Sequence, residues 1–205
     1  MTKKEALNSI LAVALGLIAG AILMLLIGDN PVDGYVYLFK GGLMNIQRIG
    51  DTLATATPLI FTGLSVAFAF KTGLFNIGTP GQMLFGGFCA SATALTYADS
   101  MPRSILLVLI ILVGILAGAV WAFVPGLLKA KFNVNEVVSS IMMNWTAYWI
   151  VYYAVPQYFK GSTETESKNI AAAASLRTDW LSDLFNGSYI NIGLLQAILC
   201  LCMIH

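Results

Sequence analysis

The side chains that could do chemistry in this sequence are few, polar and mostly uncharged. The clearest set lies in the stretch Gly73–Gly87, where Asn76 and Gln82 stand among glycines between two apolar runs. Amide side chains donate and accept hydrogen bonds but do not ionise. They can satisfy backbone groups freed by a break in a helix.

The spacing of glycines in this stretch predicts a helix break followed by a new helix. Glycine at positions 73, 78 and 81 reaches backbone conformations closed to other residues, and Pro80 suits a first helical turn. Broken backbone at membrane depth is tolerated only where protein or a water-filled cavity surrounds it. We therefore expect a broken-helix element that lines a substrate pathway. Its predicted residues are Asn76, Gly78, Gly81 and Gln82.

A second polar set is spaced for a single helix face. Glu136, Ser140 and Asn144 are four residues apart, so they share one side of a helix. A polar stripe in a membrane helix faces protein or water. One interpretation is a pathway-lining face, and Asn144 joins the candidate site on that basis. The other is that Glu136 only caps the helix at the cytoplasmic surface while Asn144 bonds to a neighbouring helix.

Enzymatic and metal chemistry find little support in the remaining residues. Gly63-Leu-Ser65 is similar to a serine protease fragment, but the one histidine is His205 at the far end of the sequence. Cys200 and Cys202 with His205 could form a metal cluster, yet no second ligand group lies elsewhere. We expect no enzymatic activity, no cofactor and no metal site.

The amino-acid composition indicates what surrounds the helices that position these residues. The chain is 58% hydrophobic and 10% charged, with a mean hydropathy of +0.81. Soluble domains are nearer half apolar and a quarter charged, so a bilayer is the expected surrounding. The net charge is +1, and no basic run resembles a phosphate-binding patch, which argues against a nucleic-acid partner.

Apolar runs predict an all-α, polytopic transmembrane bundle with five full spans and most of a sixth. The spans must be helical, because an open sheet would leave backbone groups unpaired in lipid. The runs are Ile10–Ile27, Thr52–Phe70, Gln82–Tyr97, Ser104–Leu128, Val137–Gln157 and Tyr189–Ile204.

The segments between the runs give a loop map and an orientation. Asp29–Asp51 is predicted as an outer loop that partly re-enters, and residues 158–188 as an extracellular loop. Lysines and arginines of the short loops favour a cytoplasmic N-terminus by five to three.

Pairs of small residues predict where helices approach one another. Lipid tails are as apolar as leucine, so helices associate through close backbone contact and hydrogen bonds. Three pairs are four residues apart and are expected to form contact faces: Gly16 with Gly20, Gly63 with Ala67, and Gly114 with Gly118.

Two blocks of the sequence resemble a known family. Gly73–Gly87 is similar to the Asn-Ile-Gly-x-x-Gly-Gln-Met segment of ABC importer permeases of the branched-chain amino acid and simple-sugar class, nucleoside-uptake branch. Leu127–Asn144 resembles the helix end, Asn-Glu turn and Met-x-Asn helix that follow in those permeases, and Asn30-Pro31 also fits. Pro80 departs from the pattern, since the family often has an acidic residue there. The resemblance covers essentially the whole chain.

The resemblance implies a division of labour. Residues 1–205 would form a single permease domain of the bacterial cell membrane, taking up nucleosides or simple sugars. Its implied partners are cytoplasmic ABC ATPase subunits, a second permease subunit and an extracellular solute-binding protein. The sequence holds no Gly-x4-Gly-Lys-Ser/Thr phosphate loop, so ATP is expected to bind another chain. Such permeases continue with further helices and an ATPase-coupling segment, which predicts that this domain is incomplete at its C-terminus.

Two alternatives stay open at the level of sequence. An ion-coupled secondary transporter usually carries ionisable residues at mid-membrane, whereas the ten acidic residues here fall in loops or at span ends. A truncated, non-functional permease remnant would share the family but not the activity. The substrate itself is not readable from the sequence, and nucleosides lead by resemblance alone.

Overall fold

The computed structural model describes residues 3–163 and 166–204, and within them it confirms the all-α prediction. The described chain forms eight α-helices, a 3-10 turn at Ala172–Ala174 and one isolated antiparallel bridge between Lys160 and Ser167. The α-helices are α1 (Lys3–Ile27), α2 (Pro31–Leu43), α3 (Ile46–Lys71), α4 (Thr79–Tyr97), α5 (Arg103–Phe132), α6 (Glu136–Tyr158), α7 (Asp179–Leu184) and α8 (Gly193–Ile204).

Three of the described helices are long and apolar enough to cross a membrane: α1 through Ile10–Ile27, α3 and α5. The other two predicted full spans correspond to α4 and α6, which have no window of comparable hydropathy. With 19 and 23 residues they extend for about 28 and 34 Å at 1.5 Å per residue, which matches a hydrocarbon core of about 30 Å. The sixth run forms α8, of 12 residues.

The prediction of a loop over Asp29–Asp51 is wrong, because most of the segment is helical. Asn30 caps α2 by accepting a hydrogen bond from a first-turn backbone N–H at 3.0 Å, and Pro31 follows as the first helical residue. Asn45 caps α3 in the same way by accepting from the Arg48 N–H at 2.9 Å. The two caps start helices in spite of the glycines that the sequence interpretation took as loop signals.

Helices α1 and α2 form a hairpin with few internal contacts. The Tyr35 hydroxyl of α2 donates to the carbonyl of Leu17, and Gly34 lies against the side chain of Met24. The large apolar side chains of α1 from Leu7 to Ile27, Met24 apart, are exposed. The hairpin therefore presents its surface outward, as a helix pair facing lipid would.

Helices α4, α5 and α6 form a closely packed unit. The rings of Phe85 and Trp121 stack with centroids 4.1 Å apart, and the Trp121 indole N–H donates to the Met143 carbonyl at 3.3 Å. Leu106 and Ala147 are completely buried. The two ends of this unit differ in the segments that join its helices. The hinge end bears the α5–α6 linker, residues 133–135, and the loop end bears residues 159–192.

The second half of the long polar segment at the loop end is held by arginine side chains. The Arg177 guanidinium donates to the Ser182 hydroxyl at 2.6 Å and to the Gly187 carbonyl at 2.8 Å. Arg103 at the start of α5 donates to the Arg177 carbonyl at 3.1 Å. Asp51 of α3 accepts a hydrogen bond from the backbone N–H of residue 189 at 2.9 Å. The segment is thus tied to the ends of α3 and α5.

Of the three predicted small-residue faces, the pair on α5 is the one that lies against the backbone of another helix among the described residues. A Cβ added at Gly114 or Gly118 would lie 3.6 or 3.5 Å from carbonyl oxygens of α4. A Cβ at Gly20 would meet only the Tyr35 hydroxyl, and at Gly16 or Gly63 it would meet nothing within 4 Å among the described residues.

Candidate functional site

The predicted break in the helix is present between α3 and α4. Helix α3 ends at Lys71, and Gly73 follows in a left-handed conformation with φ of +78°. The Leu74 N–H turns back to the Ala69 carbonyl at 3.0 Å and closes the helix end. Gly73 is the position in the break where the backbone itself requires glycine.

Residues 74–78 lie outside both helices and are held by two amide side chains. The Asn76 oxygen accepts a hydrogen bond from the Gly78 N–H at 2.9 Å. The Gln82 amide nitrogen donates to the same oxygen at 3.3 Å, and the Asn76 nitrogen lies 3.5 Å from the Gln82 oxygen. The two amides therefore lie side by side at the start of α4, with Asn76 replacing the backbone partner that the break removes.

Asn144 of α6 bridges the break from the opposite side. Its amide nitrogen donates to the Ile77 carbonyl at 3.0 Å, and its oxygen accepts from the Gly81 N–H at 2.9 Å. The first N–H groups of a helix have no partner within the helix. The Asn144 oxygen accepts the hydrogen bond of the Gly81 N–H, and the Asn144 nitrogen donates to the Ile77 carbonyl just before α4. Both ends of its amide are therefore hydrogen-bonded.

The expectation that Gly78 and Gly81 serve as backbone turns is wrong. Gly78 has φ of −75°, which any residue adopts, and Gly81 lies within α4. The reason for glycine is space: a Cβ at Gly81 would lie 2.6 Å from the Asn144 oxygen and 2.9 Å from its Cα. At Gly78 it would lie 3.1 Å from both the Asn76 oxygen and the Gln82 nitrogen.

One residue of this contact region escaped the sequence analysis. Gly86 is buried, and a Cβ there would lie 2.9 Å from the Gly114 carbonyl oxygen of α5. Gly86 lies four residues before Ala90 in a run of small residues, and this spacing is the sequence pattern that could have predicted the contact. The start of α4 is thus pressed against α6 at Gly81 and against α5 at Gly86.

A cavity of about 390 Å³ opens beside the break, toward the hinge end; it is called the break cavity below. Its polar lining comes from Asn76, Gln82 and Ser140, and Lys129 and Glu136 also line it. A second cavity of about 560 Å³ lies on the other side of the break and shares Asn76 as a lining residue. Asn76 therefore lines both cavities.

The interpretation of Glu136 as the helix cap is wrong, because Asn135 caps α6. The Asn135 oxygen accepts from the Val137 N–H at 2.9 Å. Glu136 instead forms an ion pair with Lys129 of α5, with the nitrogen and carboxylate oxygen 2.9 Å apart. The hydrogen bond from Lys129 lowers the pKa of the Glu136 carboxyl below its ordinary value. The pair links α5 to α6 across their linker.

The structure brings all five predicted site residues together at the break. Asn76 and Gln82 pair with each other, Asn144 bridges the gap, and Gly78 and Gly81 are the points of closest approach. The metal cluster that the sequence argued against is described only in part. Cys200 and Cys202 lie on α8, while the third member, at position 205, lies outside the described residues.

Comparison with known proteins gives matches along nearly the whole chain. The family described as "Branched-chain amino acid transport system / permease component" matches residues 48–205. The nucleoside ABC transporter permease protein NupB of Lactococcus lactis is 39% identical over 97% of this chain and 56% of its own length. The guanosine ABC transporter permease protein NupP of Bacillus subtilis is 40% identical over 93% of this chain and 54% of its own.

A more distant relative carries a different substrate in its name. The glucose ABC transporter permease protein TsgB13 of Haloferax volcanii is 34% identical over 82% of this chain and 44% of its own length. The chain spans about half the length of the curated relatives it matches. No solved structure matches it significantly.

Proposed function

Because the chain belongs to the permease family of branched-chain amino acid transport systems, we propose that it forms part of the membrane path of an ABC-type importer for nucleosides. The observation that carries this proposal is the break between α3 and α4, held by Asn144 beside the break cavity. Non-helical backbone at membrane depth is tolerated only where protein or a water-filled cavity surrounds it. The nucleoside and guanosine permeases among the relatives support the class of solute.

In this function the chain performs no covalent chemistry. It offers the solute polar groups that replace water, at Asn76, Gln82 and Ser140, within an otherwise apolar bundle. Uptake then depends on two conformations whose balance is shifted by solute and nucleotide binding. A separate ATPase supplies that bias, and a second permease subunit and an extracellular solute-binding protein complete the proposed assembly.

The chain is a multi-pass cell-membrane protein, and we propose that its N-terminus is cytoplasmic. This orientation puts Lys71 and Lys129, at the hinge ends of α3 and α5, on the inner side, as the excess of inner lysine and arginine requires. Residues 158–188 then face outward as an extracellular segment, where a solute-binding protein would dock. Residues 1–205 act in this proposal as one permease domain.

The proposal is tested by uptake of tritiated guanosine into cells that carry the gene intact, deleted, or changed to Gly78→Leu. Deletion is expected to abolish uptake. Gly78→Leu is expected to abolish it as well, because a side chain there would displace the Asn76–Gln82 pair. The control is Gly41→Leu, where an added Cβ meets nothing within 4 Å. Normal uptake in the deletion strain, or in Gly78→Leu at normal membrane abundance, would refute the proposal.

A simple sugar is the second candidate solute, on the strength of the glucose permease relative. The same strains therefore receive radiolabelled D-glucose in parallel. Loss of glucose uptake on deletion, with guanosine uptake unchanged, would assign the chain to sugars instead.

A further inference from the structure

We infer that α7 is an interfacial helix whose exposed apolar pair, Trp180 and Leu184, inserts among the lipid headgroups and the tops of the acyl chains at the loop end. Its partner is the bilayer surface. This placement depends on the chain being a multi-pass membrane protein, and not on its solute or on which side is cytoplasmic. Two properties of α7 carry it: the division of its surface into faces, and the level at which it is attached to α3.

The surface of α7 is divided into three faces. Trp180 and Leu184 are four residues apart, so they share one side of the helix, and they are 60% and 63% exposed. Asp179 and Asp183, also four apart, are exposed on the neighbouring side. The other two residues of the helix are buried against the protein. Because the apolar and the acidic face prefer opposite surroundings, such a helix suits the boundary between lipid and water.

The uncharged stretch of α3 shows where the hydrocarbon core ends. No charged residue lies between Asp51 and Lys71. Residues 52–70 extend for about 28 Å at 1.5 Å per residue, close to the thickness of about 30 Å of a hydrocarbon core. Asp51 therefore lies at the edge of the core, at the loop end of α3.

The C-terminal end of α7 is attached to α3 at this same level. Phe185 follows α7 directly, and a Cβ added at Gly50 would lie 3.0 Å from the Phe185 Cβ. The Asp51 carboxylate accepts a hydrogen bond from the Tyr189 N–H at 2.9 Å. These two contacts hold Leu184 and its apolar face at the edge of the hydrocarbon core.

The chain enters the core directly after this point. A Cβ added at Gly193, the first residue of α8, would lie 3.3 Å from the side chain of Thr57, which is further along α3 than Asp51. Tyr189, where the descent begins, is 70% exposed, and the Arg177 guanidinium lies 5.5 Å from the centre of its ring. Tyrosine and tryptophan concentrate at membrane–water interfaces, because their rings have an apolar body and a polar tip. Exposed aromatic rings at this level favour lipid over a soluble protein as the partner.

An anchored α7 limits which part of the loop end a solute-binding protein can reach. Lipid covers the apolar face of the helix. The acidic face and the residues before α7 stay on the water side, so the docking surface of the proposed assembly lies there.

The test is quenching of Trp180 fluorescence in the full chain, reconstituted into phosphatidylcholine vesicles. The Trp180 signal is the difference in emission between wild type and Trp180→Phe. Phosphatidylcholine brominated near the top of its acyl chains quenches from within the bilayer, whereas acrylamide, present on both sides of the membrane, quenches from water. We expect the brominated lipid to quench the Trp180 signal strongly and acrylamide to quench it weakly.

The matched control moves the indole to the other exposed face of the same helix. Trp180→Phe combined with Asp183→Trp puts it on the acidic face. We expect this indole to emit at longer wavelength, and to be quenched several-fold more by acrylamide and several-fold less by brominated lipid than Trp180. If this variant does not fold, Asp179→Trp in the same background replaces it, because residue 179 lies on the same face.

The inference is overturned if brominated lipid quenches Trp180 no more than it quenches the control indole. Full quenching of Trp180 by acrylamide would then show that the apolar pair stands in water, open to a soluble partner protein. Quenching by neither agent would show that protein covers the pair. Both results leave the proposed function in place, since uptake by the deletion strain tests that function separately.

Discussion

The α4–α5–α6 unit and the α1–α2 hairpin are both rich in apolar residues but pack very differently. In the first, Leu106 and Ala147 are completely buried, and a Cβ at Gly86 would collide with the backbone of the next helix. In the second, Leu26 and Ile27 are 77% and 78% exposed. The two regions therefore differ in how their helices approach one another, and apolar content does not account for it.

The difference shows what holds helices together in this molecule. Leucine gains little by leaving lipid for another leucine, so large apolar side chains do not by themselves drive association. In the tight unit, glycines let backbones touch, and Asn144 and Trp121 bond to backbone groups of other helices. Among the residues that the structure describes, the hairpin has one such bond, from Tyr35 to the Leu17 carbonyl. Substitutions in the two regions should therefore have unequal effects.

The largest effect is expected for Gly86→Leu. Its Cβ would lie 2.9 Å from a backbone oxygen of α5, which cannot move aside without separating the helices. We expect loss of folded protein from the membrane fraction, because overpacking against backbone costs at least about 1–3 kcal/mol. The control is the adjacent Gly87→Leu, where an added Cβ meets nothing within 4 Å. Equal abundance of the two variants would contradict the packing described for α4 and α5.

Asn144→Ala should have an intermediate effect. It removes two hydrogen bonds, to the Ile77 carbonyl and the Gly81 N–H, and such bonds in membrane proteins average about 0.6 kcal/mol each. We expect roughly 1–2 kcal/mol less stability, measured as thermal unfolding in detergent. Asn144→Asp should lose more, because it brings a carboxylate oxygen against the Ile77 carbonyl.

The control for Asn144 is Thr146→Ala, two residues along the same helix. The Thr146 hydroxyl is exposed and bonds only within α6, to the Met142 carbonyl at 2.8 Å. If Thr146→Ala lowers the unfolding temperature as much as Asn144→Ala, the two hydrogen bonds of Asn144 across the break add no stability beyond that of a hydrogen bond within α6.

A smaller effect is expected in the hairpin, from Gly20→Leu. The added Cβ would meet the far end of the Tyr35 side chain at 2.9 Å, which can rotate away at the cost of its hydrogen bond to the Leu17 carbonyl. We expect a loss of about 1 kcal/mol or less, and none for Gly16→Leu, which meets nothing. A loss equal to that of Gly86→Leu would abolish the distinction between the two regions.

The smallest effect is expected for Glu136→Gln, and it should depend on pH. The Lys129 hydrogen bond lowers the pKa of the Glu136 carboxyl in the folded protein. The contribution of the ion pair is then complete above the carboxyl's unfolded pKa and is lost as the pH falls through the lowered folded pKa. Thermal unfolding of wild type and variant should differ slightly at neutral pH and converge in acid. If the difference in unfolding temperature between wild type and variant grows as the pH falls, the ion pair between Lys129 and Glu136 does not stabilise the protein in this way.

The sequence determined much of this protein through local rules. Runs of apolar residues specified helices of membrane length, because the bilayer leaves the backbone no other hydrogen-bonding partners. The sequence also placed the break, since Gly73 and Pro80 favour a helix end and a helix start wherever they occur. It did not reveal α2, because the N-cap at Asn30 was outweighed by glycines that a capped helix tolerates.

Only the tertiary structure decided which residues work together at the break. The bonds of Asn144 to Gly81 and Ile77 join positions 63 and 67 residues apart, and no local periodicity specifies such a pairing. The same holds for Gly78 and Gly81, whose need for glycine comes from neighbouring side chains and a neighbouring helix and not from their own φ. Helix formation depends on a residue's near neighbours in sequence, whereas close approach depends on how whole helices pack, and the packing set the geometry of this site.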